Sequence, residues 1–106
     1  MNWSMYIDDE RTPRTSTREW TIVRSVEDAI KAIQDKGFPS YISFDHDLGD
    51  NVPTGHDLAK WIVENDLEGL IQIPADFEYN VHSANPVGAK NIEGTLGGYL
   101  RFKRNQ

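Results

Sequence analysis

The sequence has 106 residues, no cysteine and a formal net charge of −6. A chain of this length buries enough surface to fold as one domain, over residues 1–106, without a disulfide or a structural metal. The negative charge argues against a surface that coats nucleic acid, since that needs clustered Lys and Arg, but it permits a local pocket for one nucleotide or RNA end. No apolar run reaches the roughly 20 residues of a membrane span, so we expect a cytoplasmic protein that binds no membrane.

Four short segments predict β-strands. They are WSMYI at 3–7, WTIVR at 20–24, YISF at 41–44 and FEYNV at 77–81. Each is rich in aromatic, β-branched or other apolar residues and is followed by polar or turn-forming residues. The segment 12–19 between the first two strands, with a proline and several hydroxyl residues, predicts a loop.

Three amphipathic segments predict helices. Ser25 has the features of a helix cap, and the apolar residues after it repeat at helical spacing up to Gly37. A second helix follows the capping residue Thr54, and a third begins with Asn85 and Pro86. Strands that alternate with amphipathic helices indicate a parallel sheet with helices on its faces, in which ligands bind at the carboxyl ends of the strands.

Acidic residues follow two of these strands. Asp8 and Asp9 follow the first strand, and Asp45 and Asp47 follow the third. If those strands are neighbours, the four carboxylates lie within a few ångströms and repel one another, and Mg²⁺ is the natural ion to neutralise them. The alternative is that these acids cap loops and helix ends in water, as most Asp residues do.

Two histidines are predicted at the same edge of the sheet. His46 lies between the acids after the third strand, and His82 follows the fourth strand. Histidine titrates near neutral pH, so it can give or take a proton during the cleavage of a phosphoester. The alternative for each is a structural histidine at a strand end.

The segment SANPVG at 83–88 joins the fourth strand to the third helix. Free backbone N–H groups and the helix dipole favour an anion there, which makes Ser83, Asn85 and Gly88 candidate phosphate-binding residues. An ordinary turn would use the same Asn-Pro cap. Arg11 is a further candidate, because its planar guanidinium can clamp phosphate oxygens, although it can equally pair with a neighbouring acid in solvent.

Three motifs occur in this order: IDDER after the first strand, SFDHDLGD with TGHDLAKWI after the third, and VHSANPVGAKNI after the fourth. This combination resembles the cyclic-phosphate processing receiver-like domain, a small relative of the two-component receiver. The resemblance runs through nearly the whole chain. It implies a small flavodoxin-like or receiver-like parallel sheet of about four strands with helices on both faces. It also implies the processing of a cyclic phosphate on a nucleotide or RNA end.

The resemblance also implies roles for individual residues. Asp8 and Asp9 match the acidic pair that holds Mg²⁺ in receivers, Asp45 matches the phosphoacceptor aspartate, and Ser83 matches the hydroxyl residue after the fourth strand. A receiver also has a fifth strand that ends in a lysine. This chain has no further clear strand, and Lys103 lies in a basic tail, which argues against phosphorylation of an aspartate.

The leading hypothesis is a metal-assisted phosphodiesterase that acts on the 2′,3′-cyclic phosphate of an RNA end or nucleotide. It assigns Mg²⁺ to four carboxylates, those of Asp8, Asp9, Asp45 and Asp47. His46 and His82 are the catalytic base and acid, in an order that the sequence leaves open, beside Asp45. Arg11 and the backbone N–H groups after Ser83 hold the phosphoryl oxygens.

Two alternatives belong to other functional classes. A degenerate receiver would be phosphorylated at Asp45. A binding module would hold a cyclic nucleotide or a protein partner without turnover.

Overall fold

The computed structural model describes residues 3–13 and 18–105. Four strands form one parallel sheet: β1 (Ser4–Ile7), β2 (Trp20–Val23), β3 (Tyr41–Phe44) and β4 (Glu78–Val81). Their order across the sheet is β2-β1-β3-β4. All four predicted strands are confirmed, because each short apolar segment and its polar boundary are local signals.

The helices are α1 (Val26–Lys36), α2 (Gly55–Leu67), α3 (Pro86–Ile92) and α4 (Gly98–Arg104), and a π-helical turn over Glu93–Gly97 joins the last two. Side-chain caps fix their starts. The hydroxyl of Ser25 accepts the backbone N–H of Asp28, and Thr54 forms a reciprocal capping box. These contacts confirm the predicted starts. Among the described ranges, no helix is both long and apolar enough to cross a membrane.

One face of the sheet packs against the helices and forms the hydrophobic core. Met5, Ile7, Ile42 and Phe44 point from the two central strands into this core and are fully buried. Each such side chain contributes about 1.5–3 kcal/mol through removal from water. The helices complete the core with buried residues that include Ala29, Ile33, Leu58, Ile62, Ile92, Leu96 and Leu100.

The helices form one layer on this face, whereas the sequence predicted helices on both faces. Helix α1 contacts α2, and α2 contacts α3. The chain moves in one direction across the sheet from β2 to β3 and then to β4, so right-handed crossovers place α1 and α2 on the same side. The step from β1 to β2 runs in the opposite direction. The described part of that connection, 8–13 and 18–19, contains no helix. We call the side of the sheet away from the helices the open face.

Candidate functional site

The strand register aligns side chains in rows on the open face. One row consists of Tyr6, Ser43 and Asn80. Because side chains alternate along a strand, the residues two positions further on face the same way. These are Asp8, Asp45 and His82, whose potential ligand atoms all lie within 4.8 Å of one another. We call these three residues the strand-end row.

Asp8 is the most deeply buried residue of this row. Its Oδ1 accepts the backbone N–H groups of Glu10 at 3.0 Å and Arg11 at 2.8 Å. Its Oδ2 accepts Nε of Arg11 at 2.8 Å and Nε2 of His82 at 3.0 Å. Burial by itself raises the pKa of Asp8, but these hydrogen bonds and the charge of Arg11 outweigh it and hold that pKa below its ordinary value. Asp8 is therefore a carboxylate at neutral pH.

Arg11 connects the two acids of the row. While its Nε binds Asp8, its Nη2 lies 3.4 Å from Oδ2 of Asp45. The backbone carbonyls of Asp8 and Arg11 both accept Nη1 of Arg24, at 3.1 Å and 2.7 Å, which fixes the start of the loop. The side chain of Arg11 remains 47% exposed. The structure thus pairs Arg11 with two buried acids and leaves about half of its side chain exposed to solvent.

His82 is held on three sides. Its Nδ1 lies 2.7 Å from the hydroxyl oxygen of Ser43, and its Nε2 bonds to Asp8. Its ring stacks on that of Tyr6, with centroids 4.4 Å apart. Burial lowers the pKa of His82, and the hydrogen bond and charge of Asp8 only partly oppose this, so His82 is neutral at neutral pH. Because ionised Asp8 can only accept, Nε2 carries the proton and Nδ1 accepts from Ser43.

The strand-end row contains two of the four aspartates predicted to hold Mg²⁺. Within the described residues, no other acid or histidine joins Asp8, Asp45 and His82 in a cluster of this kind. The four hydrogen bonds to Asp8 occupy the acceptor positions of its carboxylate, and Arg11 already places a positive charge beside both acids. Mg²⁺ requires near-octahedral coordination by free oxygen atoms. Asp8, Asp45 and His82 could therefore hold a metal ion as a group, but Mg²⁺ would have to displace the contacts that Arg11 makes with the two acids.

Asp9 and Asp47 line a shallow depression beside the row, to which Arg11 also contributes. Both are exposed, and Asp45 contributes to the same depression. Asp47 bonds to Nδ1 of His46 at 2.9 Å and to the side-chain amide of Asn85. The hydrogen bond from His46, followed by that from Asn85, lowers the pKa of Asp47.

His46 lies apart from His82. A Cβ atom added at Gly88 would clash with the ring of His46, so this ring packs directly against the backbone of α3. His46 therefore contacts the helix layer, whereas His82 faces Tyr6 and Ser43 on the open face. The structure does not bring the two predicted catalytic histidines together.

The loop at 83–88 uses its polar groups on itself. The hydroxyl of Ser83 accepts the backbone N–H of Asn85 at 3.0 Å, and Oδ1 of Asn85 accepts the backbone N–H of Gly88 at 3.0 Å. The N–H groups of Asn85 and Gly88 are therefore already engaged. Nothing described in the structure places this loop on the cleft that contains His82.

A cleft of about 850 Å³ lies on the open face beside the strand-end row. Its lining includes Arg11 and His82, and Tyr41 and Trp20 line it further along the sheet. The guanidinium of Arg18 lies over the ring of Tyr41, 4.1 Å from its centroid. This volume is within the range of small-molecule sites. We call it the open-face cleft.

The sequence interpretation missed several residues that line this cleft, above all Ser43. The sequence contained the information needed to identify Ser43. Ser43 stands two positions before Asp45, so the two side chains must lie on the same face if the segment is a strand. A polar residue inside an otherwise apolar run is the mark of a face that is not packed against a helix.

Two comparisons with known proteins bear on this arrangement. The family model of the cyclic-phosphate processing Receiver domain matches residues 3–98, which confirms the resemblance. The structure is similar to that of NtrX from Brucella abortus, with a TM-score of 0.53 and 18% sequence identity over 99% of this chain. The chain spans 29% of the length of that structure, and the likeness shows the receiver-like fold alone. No curated protein matches the sequence significantly.

Proposed function

We propose that this chain, which belongs to the cyclic-phosphate processing Receiver domain family, hydrolyses a cyclic phosphate diester to a phosphate monoester. The observation that carries the proposal is the position of His82. It is a neutral histidine, oriented by the buried carboxylate of Asp8, in a cleft that Arg11 also lines. A proton acceptor and a cation at the end of a parallel sheet are what the cleavage of a phosphodiester requires.

The substrate class in this proposal is a nucleoside or RNA end with a 2′,3′-cyclic phosphate. The phosphate would bind beside Arg11, and the nucleoside would extend along the open-face cleft toward Trp20 and Tyr41. Two arginines, Arg11 and Arg18, line this cleft in a chain whose net charge is −6. Glu10 lines the cleft too, and the exposed part of Arg11 together with Arg18 would offset part of the repulsion between the acidic protein and an anionic ligand.

Arg11 has two roles in the reaction. Its accessible guanidinium nitrogens bind the phosphoryl oxygens of the substrate, and its charge stabilises the additional negative charge of the transition state. The contacts with Asp8, Asp45 and Arg24 hold the side chain and its loop in place before the substrate binds. Less reorganisation is then needed at the moment of reaction.

His82 is the general base, and Asp8 is its positioning residue. The bond from Nε2 to Asp8 keeps Nδ1 unprotonated and available as an acceptor. When Nδ1 takes up a proton, the carboxylate of Asp8 stabilises the resulting imidazolium. General-base catalysis of this kind contributes about 10²–10⁴-fold to a rate.

Arg11 takes the place that the sequence interpretation gave to Mg²⁺. It supplies a cation 2.8 Å from Asp8 and 3.4 Å from Asp45, where the predicted metal would have bound. The proposed reaction therefore uses groups of the chain alone. This feature separates the proposal from the metal-assisted hypothesis and is open to a direct test with a chelator.

The function is tested by incubation of the full chain with nucleoside 2′,3′-cyclic phosphates and separation of the products. The chain should release a nucleoside monophosphate, and His82→Ala should reduce turnover by about 10²-fold or more. His56→Gln is the matched control, because His56 is also partly buried but bonds to Thr95 in the helix layer. Absence of product from the unaltered chain, or full activity of His82→Ala, would contradict the proposal.

A second candidate is a receiver that is phosphorylated at Asp45. The observation in its favour is that Asp45 faces the same shallow depression as Asp9 and has a cation, Arg11, beside it. Lys103 does not serve this purpose, because its Nζ bonds to Asp66 at 2.8 Å. Covalent labelling of Asp45 by acetyl phosphate would support this candidate. Tight binding of a cyclic nucleotide without any product would instead favour a binding module.

A further inference from the structure

The side chains of Ser43, His82 and Asp8 form a continuous chain of hydrogen bonds. The hydroxyl of Ser43 is 2.7 Å from Nδ1 of His82, and Nε2 of His82 is 3.0 Å from Oδ2 of Asp8. Ser43 lies on β3, and Asp8 and His82 directly follow β1 and β4, the two strands that flank β3 in the sheet. This hydroxyl, imidazole and carboxylate have the connectivity of a nucleophile, its base and the group that orients the base.

The geometry leaves one proton within reach of His82. Its Nε2 is engaged by Asp8, and its Nδ1 by Ser43. Stacking against Tyr6, at an interplanar angle of 8°, holds the ring in this orientation. A water molecule could reach a ring nitrogen only by displacing Ser43 or Asp8. The hydroxyl proton of Ser43 is therefore the one that His82 is placed to accept.

Ser43 is also placed where a substrate can meet it. Its side chain faces the open-face cleft, which Arg11 and His82 line as well. Ser43 lies on β3, two positions before Asp45, at the floor of the cleft and only slightly exposed. A phosphate bound by Arg11 would thus occupy the same cleft as the hydroxyl of Ser43.

We propose that Ser43 is the nucleophile of the hydrolysis, with His82 as its base and Asp8 as the positioning residue. For its substrate, this inference rests on the function proposed above. It replaces a direct attack of water on the cyclic phosphate with two steps and a covalent intermediate.

In the first step, Oγ of Ser43 bonds to phosphorus and its proton passes to Nδ1 of His82. The bond between phosphorus and one ribose oxygen breaks, and that oxygen takes a proton from solvent. The intermediate is a phosphodiester between Ser43 and the nucleoside, and it retains the whole phosphate and nucleoside. In the second step, water adds to phosphorus and releases a proton to solvent. Oγ of Ser43 then leaves and recovers the proton from His82, which frees the monophosphate.

Diisopropyl fluorophosphate, which labels activated serine hydroxyls, tests whether Ser43 is a nucleophile. This test does not depend on the identity of the natural substrate. Attack by Ser43 would form an Oγ–P bond and expel fluoride, while the hydroxyl proton passes through His82 to solvent. Peptide mapping of the unaltered full chain should find the label on Ser43. Ser43→Ala and His82→Ala should abolish that label, and Ser40→Ala should retain it. Ser40 is a suitable control, because its hydroxyl donates a hydrogen bond to the carbonyl of Trp3 rather than to a histidine.

The covalent intermediate is tested in the same chain by acid quenching during turnover of a nucleoside 2′,3′-cyclic phosphate. Mass spectrometry should find Ser43 heavier by the mass of the whole cyclic nucleotide, because ring opening loses no atom. Ser43→Ala should lower turnover by about 10³-fold or more. Turnover that persists in Ser43→Ala, with no label on Ser43, would overturn the inference and leave the proposed function intact. A label on Ser43 without turnover of any cyclic phosphate would support the nucleophile and overturn the proposed substrate.

Discussion

The two faces of this sheet are built from alternate residues of the same strands, yet they are stabilised in different ways. Ile42 and Phe44 point into the helix layer and are buried among apolar side chains. Ser43 and Asp45, between and after them, point to the open face and are almost as deeply buried, although no helix of the described ranges covers that face. Burial on the open face is accompanied by hydrogen bonds, ion pairs and stacked rings.

This difference implies that substitutions on the two faces have different consequences. An apolar core tolerates a small loss of volume at a moderate cost in stability. A buried polar network depends on each partner, since the loss of one leaves the others unsatisfied or in the wrong protonation state. We therefore expect changes on the open face to affect chemistry first, and changes on the helix-covered face to affect stability first.

The largest effect is expected from Asp8→Asn. The side-chain amide of asparagine can donate as well as accept, so it does not fix the proton of His82 on Nε2. The ring can then carry its proton on Nδ1, where it cannot accept the proton of Ser43. Turnover should fall by about 10³–10⁴-fold. Steady-state kinetics measure this, with circular dichroism as the check on folding. Asp76→Asn changes an exposed acid ahead of β4 and serves as the control. Near-normal turnover in Asp8→Asn would mean that the open face has no role in orienting the base.

On the helix-covered face, Ile42→Val should reduce stability and leave chemistry unchanged. Ile42 is fully buried next to Ser43 in sequence, and loss of one methylene in such a site costs about 0.5–1.5 kcal/mol. For a domain of this size, each kcal/mol lowers Tm by about 4–8 °C. Thermal unfolding measures the loss, and kcat per folded molecule should equal that of the unaltered chain. If Ile42→Val changed kcat as much as Ser43→Ala does, the two faces would not differ in the way proposed.

The pH dependence of activity and of stability should both report on His82. Burial lowers the pKa of His82 below its ordinary value of 6.5, so the folded state binds this proton less readily than the unfolded chain does. The associated stability is fully present above pH 6.5 and is lost as the pH falls through the lowered pKa. The kcat/KM profile should lose activity over the same window, because His82 must be neutral to act.

This prediction is tested by measuring the free energy of unfolding of the unaltered chain and of His82→Gln between neutral and mildly acidic pH. The variant should lose less stability on acidification than the unaltered chain. His56 contributes in the same direction, since burial lowers its pKa too, so His56→Gln provides the comparison for the helix layer. If His82→Gln had the same pH dependence of stability as the unaltered chain, His82 would not be held neutral by burial.

The smallest effect is expected from removal of divalent cations. Arg11 provides the positive charge beside Asp8 and Asp45, so turnover should be unchanged after treatment with EDTA. Arg11→Lys, by contrast, should be impaired, because an ammonium cannot bind both carboxylates and a phosphate with a planar fork. If EDTA abolished activity and Mg²⁺ restored it, the metal-assisted hypothesis would be supported instead.

Local signals in the sequence were sufficient for the strands and the helix starts. The caps at Ser25, Thr54 and Asn85 each act within three residues of themselves, and the structure confirms all three helix starts. The placing of the helices on one face depends on the order of the strands. Parallel strands are paired through long connections, and no local residue pattern reports which strands become neighbours.

The site was only partly predictable for the same reason. Sequence reasoning placed Asp8, Asp45 and His82 at one edge of the sheet because polar residues that follow parallel strands gather there, and the structure brings these three together with Arg11. The contact between Asp8 and His82 spans 74 residues, and that between Ser43 and His82 spans 39. Such contacts follow from the register between strands. The ring of His46, unlike that of His82, packs against α3, where the absence of a side chain at Gly88 leaves room for it.

The proposed function places the chemistry of a cyclic phosphate on the open face of the sheet. The most direct measurement is phosphorus NMR of a nucleoside 2′,3′-cyclic phosphate during incubation with the full chain in the presence of a chelator, beside an identical sample of His82→Ala. The account predicts that the cyclic-phosphate signal is replaced by that of a monoester with the unaltered chain and persists with the variant. A signal that stays unchanged with the unaltered chain, or that decays equally with both, would contradict it.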